Sequence, residues 1–81
     1  MEKVIIYSTH QCPFCIMAKK FMDEHNISYE NHFVDDSEEE REKMVKLSGQ
    51  LGVPVIVIGD KVYNGFTDTG VQKALFENKG D

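Results

Sequence analysis

Two thiols separated by two residues, in Cys12-Pro13-Phe14-Cys15, are the side chains of this sequence best placed for chemistry. They are its only cysteines, and a disulfide between them would close a loop of two residues. So short a loop hardly constrains an unfolded chain, so the value of the pair is chemical: dithiol–disulfide exchange. The apolar run Val4-Ile5-Ile6-Tyr7 precedes them and an amphipathic stretch follows, as at a strand-to-helix junction. Only a thiolate attacks a disulfide. Cys12 stands just before the first helical turn, where unpaired N–H groups and the helix dipole favour a negative sulfur; it is the expected nucleophile. Cys15, one turn in and less exposed, is the expected resolving thiol, which attacks a mixed disulfide on Cys12 and releases the reduced substrate. Pro13 rigidifies the turn. A pair of ordinary core cysteines is the alternative, and it accounts less well for the spacing at a strand–helix junction.

Two further segments have the chemistry of a binding groove. Val53-Pro54 puts a proline at the head of an apolar strand, where it cannot donate to a ladder. On the residues alone a trans proline at a strand start is the plainer reading. A cis bond would leave outward-facing backbone groups on Val53 to pair with an extended substrate. Gly65-Phe66-Thr67-Asp68 ends in a helix N-terminus, whose free N–H groups suit a carboxylate; helix capping by Thr67 or Asp68 competes with ligand binding there.

Around these lie residues with simpler explanations. His10 is two positions before Cys12, placed to raise its thiolate population, although a surface loop histidine is the commoner case. Zinc on Cys12, Cys15 and His10 lacks a fourth ligand in the pattern, so no metal is expected. Lys19 and Lys20 offer a positive edge near the thiols, or simply a packed lysine stem. His25 falls on the apolar stripe of the first helix, His32 falls in a strand, and the methionines read as core filling.

The elements that must position the thiols follow from periodicity and punctuation. Residues 3–8 read as a strand. Residues 13–25 read as a helix with Phe14, Met17, Ala18, Phe21 and Met22 on one face, Pro13 at its first position and Asn26 as its stop. Residues 29–34 form a second strand. Ser37 to Glu40 is a capping-box pattern that opens a helix to Ser48, with Gly49 as stop; the acidic run from Asp35 to Glu42 suits its solvated first turn. Val53 to Ile58 is an apolar, β-branched run expected of a central strand, Gly59-Asp60 a two-residue turn, and Lys61 to Tyr63 the returning strand. A last helix spans about 68–77, with Val71, Ala74 and Leu75 inward, and residues 79–81 fray. The order β-α-β-α-β-β-α predicts an α/β fold: a four-stranded mixed sheet, its first two strands parallel, with three helices on both faces.

The chain has 81 residues, room for a single domain over 1–81 with one thin core. Its net charge of −5 disfavours nucleic acid and acidic membrane surfaces. Met1-Glu2-Lys3 leads into an apolar run too short for a signal-peptide core or a membrane span, so a reducing cytoplasm is the expected compartment.

Three motifs in register now give a resemblance that covers nearly the whole chain. Cys-Pro-Phe-Cys after Tyr7-Ser8-Thr9, the Gly52-Val53-Pro54 segment, and Asn64-Gly65-Phe66-Thr67-Asp68 before the last helix together resemble glutaredoxins. The resemblance implies the thioredoxin-like fold, a cis bond before Pro54, no permanently bound cofactor, glutathione as co-substrate, and a monomer acting on disulfide-containing proteins. Carried over by position, glutathione would form a mixed disulfide with Cys12 and pair its backbone with Val53. Its carboxylates would lie at Thr67-Asp68 and near Thr9, with Phe14 in the place of the usual tyrosine. The binding set implied is thus Thr9, Pro13, Phe14, Val53, Pro54, Gly65, Phe66, Thr67 and Asp68. Thr9 and Gln50 stand where the family usually has basic residues, and Thr67 where it has aspartate. Each lost charge-assisted contact costs on the order of 1–3 kcal/mol. Gly65-Phe66 is more similar to NrdH-redoxins, which take electrons from thioredoxin reductase and supply ribonucleotide reductase, although those seldom have proline after the first cysteine. A metal-binding module, with zinc or a glutathione-ligated iron–sulfur cluster between two chains, is the alternative from another class. Glutaredoxin potentials of about −200 to −230 mV suit the glutathione pool.

Overall fold

The chain, described here by a computed structural model over residues 2–66 and 69–78, follows the expected order of elements. These are β1 (Val4–Ser8), α1 (Pro13–Glu24), β2 (Glu30–Phe33), α2 (Glu38–Ser48), β3 (Val55–Ile58), β4 (Lys61–Asn64) and α3 (Thr69–Asn78). The strands form one sheet in the order β2-β1-β3-β4. β1 pairs with β2 in parallel and with β3 antiparallel, and β3 pairs with β4 antiparallel. The thioredoxin-like arrangement expected from the sequence is therefore present.

Strand alternation sorts the core into two layers. Val4 and Ile6 of β1 and Ile56 and Ile58 of β3 pack with Ala18 and Met22 of α1 and Val71 and Leu75 of α3. Tyr7, Val55 and Val57 face the other way and pack with Met44 of α2 and Val34. Helices α1 and α3 thus cover one face and α2 the other. β1 and β3 are apolar on both faces because both are covered.

The helix ends obey local chemistry. The Ser37 hydroxyl accepts the Glu40 N–H at 3.2 Å, and Gly49 closes α2 with φ 76. That left-handed backbone is open to glycine without a Cβ penalty. The Glu40 carboxylate, expected to complete a capping box, turns to the sheet instead and lies 2.5 Å from His32 Nδ1 on β2. Asn26, at φ 56, follows α1 as the expected stop.

Three expectations change. The inner stripe of α1 is Cys15, Ala18 and Met22; Phe14 and Met17, placed by periodicity in the core, are 49% and 50% exposed. Each precedes a buried residue, Cys15 or Ala18, by one position and so sits on the flank of the buried stripe, and Met17 is not core filling. β3 begins at Val55 rather than Val53, because Pro54 has no N–H to give to the ladder. The acidic run is divided: Glu38, Glu39 and Glu40 occupy the first turn of α2, whereas Asp35 and Asp36 precede the helix and meet His10. The expected fraying of residues 79–81 lies outside the described residues.

Ser37→Ala removes the α2 cap and should cost about 1 kcal/mol. In urea unfolding the midpoint should fall while the slope stays unchanged.

Candidate active site

Pairing directions bring four chain segments to one end of the sheet. Tyr7, near the end of β1, is opposite Val55 at the start of β3, and Val55 is opposite Asn64 at the end of β4. Ser8 is beside Phe33 at the end of parallel β2. Residues 9–15, Val53-Pro54, Gly65-Phe66 and Val34 to Asp36 therefore emerge at the same pole. The topology alone assembles the thiols with Val53-Pro54 and Gly65-Phe66.

Cys12 is the N-cap of α1. Its backbone is extended, with φ −127 and ψ 107, and its sulfur accepts the N–H of Cys15 at 3.2 Å. Pro13 occupies the first helical position, where no donor is lost. The Cys12 carbonyl meanwhile takes the first intrahelical bond, from the Ile16 N–H at 3.0 Å. Cys12 is 7% exposed and Cys15 is 0% exposed. Burial pushes the Cys15 thiol up to about 12, and its hydrogen bond to Cys12 adds to the effect. A backbone hydrogen bond at Thr9 and the charge of Lys19 pull the other way. The two sulfurs are not bridged.

The groove residues take distinct positions. Phe14 projects as a half-exposed ring, Pro13 is exposed, and Thr9 is half-buried. The peptide before Pro54 is cis. Val53 lies half-buried beyond the end of the β3 ladder, and the Pro54 carbonyl accepts the Gly65 N–H at 2.8 Å. Gly65 has φ 95. The Phe66 side chain is buried in the α1–α3 core against Phe21. Thr67 and Asp68 lie outside the described residues.

The histidines and lysines separate cleanly. His10 Nδ1 lies 3.0 Å from Asp35 Oδ2 and its Nε2 lies 3.6 Å from Asp36, while its ring stacks on Phe33 at 3.8 Å. Its backbone N–H also donates to Asp35 at 3.1 Å. His10 therefore belongs to a clamp on the loop before Cys12, grouped with two carboxylates rather than with the thiols. Sequence reasoning missed this clamp because His10 and Asp35 lie 25 residues apart, in the loops that follow β1 and β2. His25 packs half-buried between Phe21 and Phe76, and His32 lies between Glu30 and Glu40. Lys20 is exposed, whereas the Lys19 ammonium turns inward to Ser8 Oγ at 3.3 Å. Ser8 was legible only as a polar residue ending an apolar strand.

The glutaredoxin family model matches residues 4–63, which span both thiols and Val53-Pro54. The chain belongs to the glutaredoxin family. A glutaredoxin-like 8.6 kDa protein from the rubredoxin operon of Clostridium pasteurianum is 40% identical over 70 residues, covering 86% of this chain and 93% of that protein. Glutaredoxin 3 of Escherichia coli K12 is 34% identical over 68 residues, covering 84% of this chain and 82% of that one. Among solved structures, the glutaredoxin of Archaeoglobus fulgidus superposes with a TM-score of 0.80 at 27% identity, over 90% of this chain and 85% of its own. This member is a glutaredoxin-like thiol redox protein. The family match ends at Tyr63, before the Gly65-Phe66 segment.

The hydrogen bonds from His10 hold the Asp35 carboxyl below its ordinary value. A folded-state value below the unfolded one stabilises the fold above the ordinary carboxylate range and is lost as pH falls through the folded value. Asp35→Asn should therefore flatten that part of the acid limb, read as the urea midpoint against pH.

Proposed function

We propose that this glutaredoxin-family protein reduces protein disulfides and glutathione mixed disulfides by dithiol exchange. Cys12 is the nucleophile, Cys15 the resolving thiol, and glutathione the reductant. The observation that carries this reading is the inequality of the two sulfurs. Cys12 receives an N–H bond at the helix start, while Cys15 is fully enclosed and held protonated.

The order of events follows. The Cys12 thiolate attacks one sulfur of the substrate; the substrate S–S bond breaks, and the departing thiolate takes a proton. Once Cys12 is in a mixed disulfide it no longer carries charge or accepts the Cys15 thiol's hydrogen bond. Two of the causes that raise the Cys15 thiol are thereby removed. Cys15 becomes easier to ionise at the stage that needs it, attacks Cys12 Sγ, and expels the second substrate thiol. Two glutathione molecules then return the Cys12–Cys15 disulfide to the dithiol and leave as glutathione disulfide.

Val53, beyond the strand ladder at the thiol pole, supplies backbone groups for an extended peptide such as glutathione, which is β-strand addition on a small scale. Pro54, Gly65 and Phe66 shape that side of the groove, Pro13, Phe14 and Thr9 the other, and Thr67 and Asp68 would receive a carboxylate. No permanently bound cofactor is invoked, and the protein works as a monomer. A reducing cytoplasm suits a dithiol of this kind; none of the described helices is long and apolar enough to cross a membrane. Gly65-Phe66 favours the NrdH-type reading as the second choice, with thioredoxin reductase upstream and ribonucleotide reductase downstream, although Thr9 departs from the basic residue usual in both groups.

Reduction of a glutathione mixed disulfide is the deciding assay, supplied first with glutathione and glutathione reductase and then with thioredoxin reductase. Turnover with the first pair is expected; turnover with thioredoxin reductase alone would establish the second reading. Cys12→Ser should abolish activity. Cys15→Ser should retain glutathione mixed-disulfide reduction and lose protein disulfide reduction, and equal loss from both would contradict the assigned roles. A purified protein that is coloured or carries metal would support the cluster or zinc alternative.

A further inference from the structure

A buried polar chain lies under the thiols. Ser8 is 0% exposed at the end of β1. By strand alternation it shares the face of Val4 and Ile6, which α1 covers. A hydroxyl buried there needs partners. It donates to Asn31 Oδ1 at 2.6 Å and accepts from Lys19 Nζ at 3.3 Å. The same ammonium lies 4.6 Å from the centre of the Phe33 ring, a cation–π contact. Two neutral groups thus draw the Lys19 cation inward, and among the described residues it has no carboxylate partner within ion-pair distance.

Lys19 is four residues after Cys15 on α1, so the two side chains share a face one turn apart. That face is closed: Cys15 is fully buried, and any negative charge formed on it is remote from water. The charged or polar groups around the pair are few. Cys12 faces Cys15 from the helix cap and the Thr9 backbone faces it from the loop. His10 reaches Phe33 from the loop, but Asp35 and Asp36 engage its ring nitrogens. Asn31, from β2, is neutral. Lys19 is the full positive charge on the inner side of the helix.

We propose that Lys19 is a positioning residue of the resolving step: its ammonium, held by Ser8 and Phe33, stabilises the Cys15 thiolate as that sulfur attacks the mixed disulfide on Cys12. This rests on the assignment of Cys15 as resolving thiol. The direction of the Lys19 effect on Cys15, opposing that of burial, agrees with it. In the step itself the Cys15 thiol gives up its proton, which balances the one taken up by the departing thiolate. Its sulfur bonds to Cys12 Sγ, the bond from Cys12 to the substrate sulfur breaks, and the departing thiolate keeps the electron pair and takes up a proton. Over the two exchange steps together the cysteine pair is oxidised by two electrons and the two substrate sulfurs are reduced. Lys19 keeps its proton throughout.

The reduced protein mixed with the symmetrical disulfide of thionitrobenzoate reports both steps in one stopped-flow trace. Attack by Cys12 releases the first coloured thiolate, and resolution by Cys15 releases the second. Lys19→Met should leave the first phase unchanged. It should slow the second about three- to tenfold at neutral pH and move its pH profile to higher pH. Lys19→Arg should restore most of the second phase. Lys19→Gln, which keeps a donor for Ser8 but no charge, makes the same comparison should Lys19→Met not fold. A second phase indifferent to loss of the charge overturns the proposal. So does equal slowing of both phases, which would mean general attraction of the anionic probe, and so does a defect that Lys19→Arg does not relieve. Absence of a second phase in the unmodified protein, or its persistence in Cys15→Ser, refutes the thiol assignment itself and is distinguishable from all of these.

Discussion

The Cys12 sulfur caps a helix. A helix begins with N–H groups that no earlier carbonyl can reach, and they are usually met by a hydroxyl, amide or carboxylate. Here the Cys15 N–H is directed at sulfur. For that, Cys12 must be extended while the next residue is already helical, and Pro13 meets the second condition at no cost in donors. The strand before the cap must end at the right height, which the pairing of β1 with both β2 and β3 ensures. The site is the consequence of joining a central strand to a helix through a capping thiol.

That join also makes the two sulfurs unequal. A capping residue faces the helix end, whereas a residue three positions later turns to the side that the core covers. The enclosing core is shallow, one layer of side chains on each side of the sheet, but β1 and β3 are apolar on both faces and lie between helices. Ser8 is the polar exception in that interior, and it is satisfied by Asn31 and Lys19. The inner face of the active-site helix therefore includes a hydrogen bond to Ser8, and its flank presents Phe14 and Met17 to solvent.

Much of this was legible in the residues because local rules were sufficient. The spacing of the thiols, Pro13, the Ser37 cap, the Gly49 stop and the β-branched run of β3 each act within a few residues of themselves. What was not legible depended on partners distant in sequence. Phe14 and Met17 have the period of a buried stripe, but which of two adjacent stripes, theirs or that of Cys15 and Ala18, faces the sheet depends on how the helix is docked. Glu40 fits a capping box, yet its carboxylate is claimed by His32 of the neighbouring strand, a competitor invisible in the pattern. Asp35 and Asp36 look continuous with the glutamates that follow, and only the parallel pairing of β2 with β1 brings them to His10. The cis bond before Pro54 came from the family resemblance, since isolated residues favour trans.

At the opposite pole the two ends of the described chain are stitched together. The Glu2 N–H donates to Asn78 Oδ1 at 2.8 Å, and Asn78 Nδ2 donates to the Glu2 carbonyl at 2.8 Å. Glu2 precedes β1 and Cys12 follows it, so the length of the central strand separates this knot from the thiols. A tether or fused domain leaving through Glu2 or Asn78 would depart from the back of the molecule. The protein could be hung from a surface, or joined to an electron donor, with its reactive face turned outward and unobstructed.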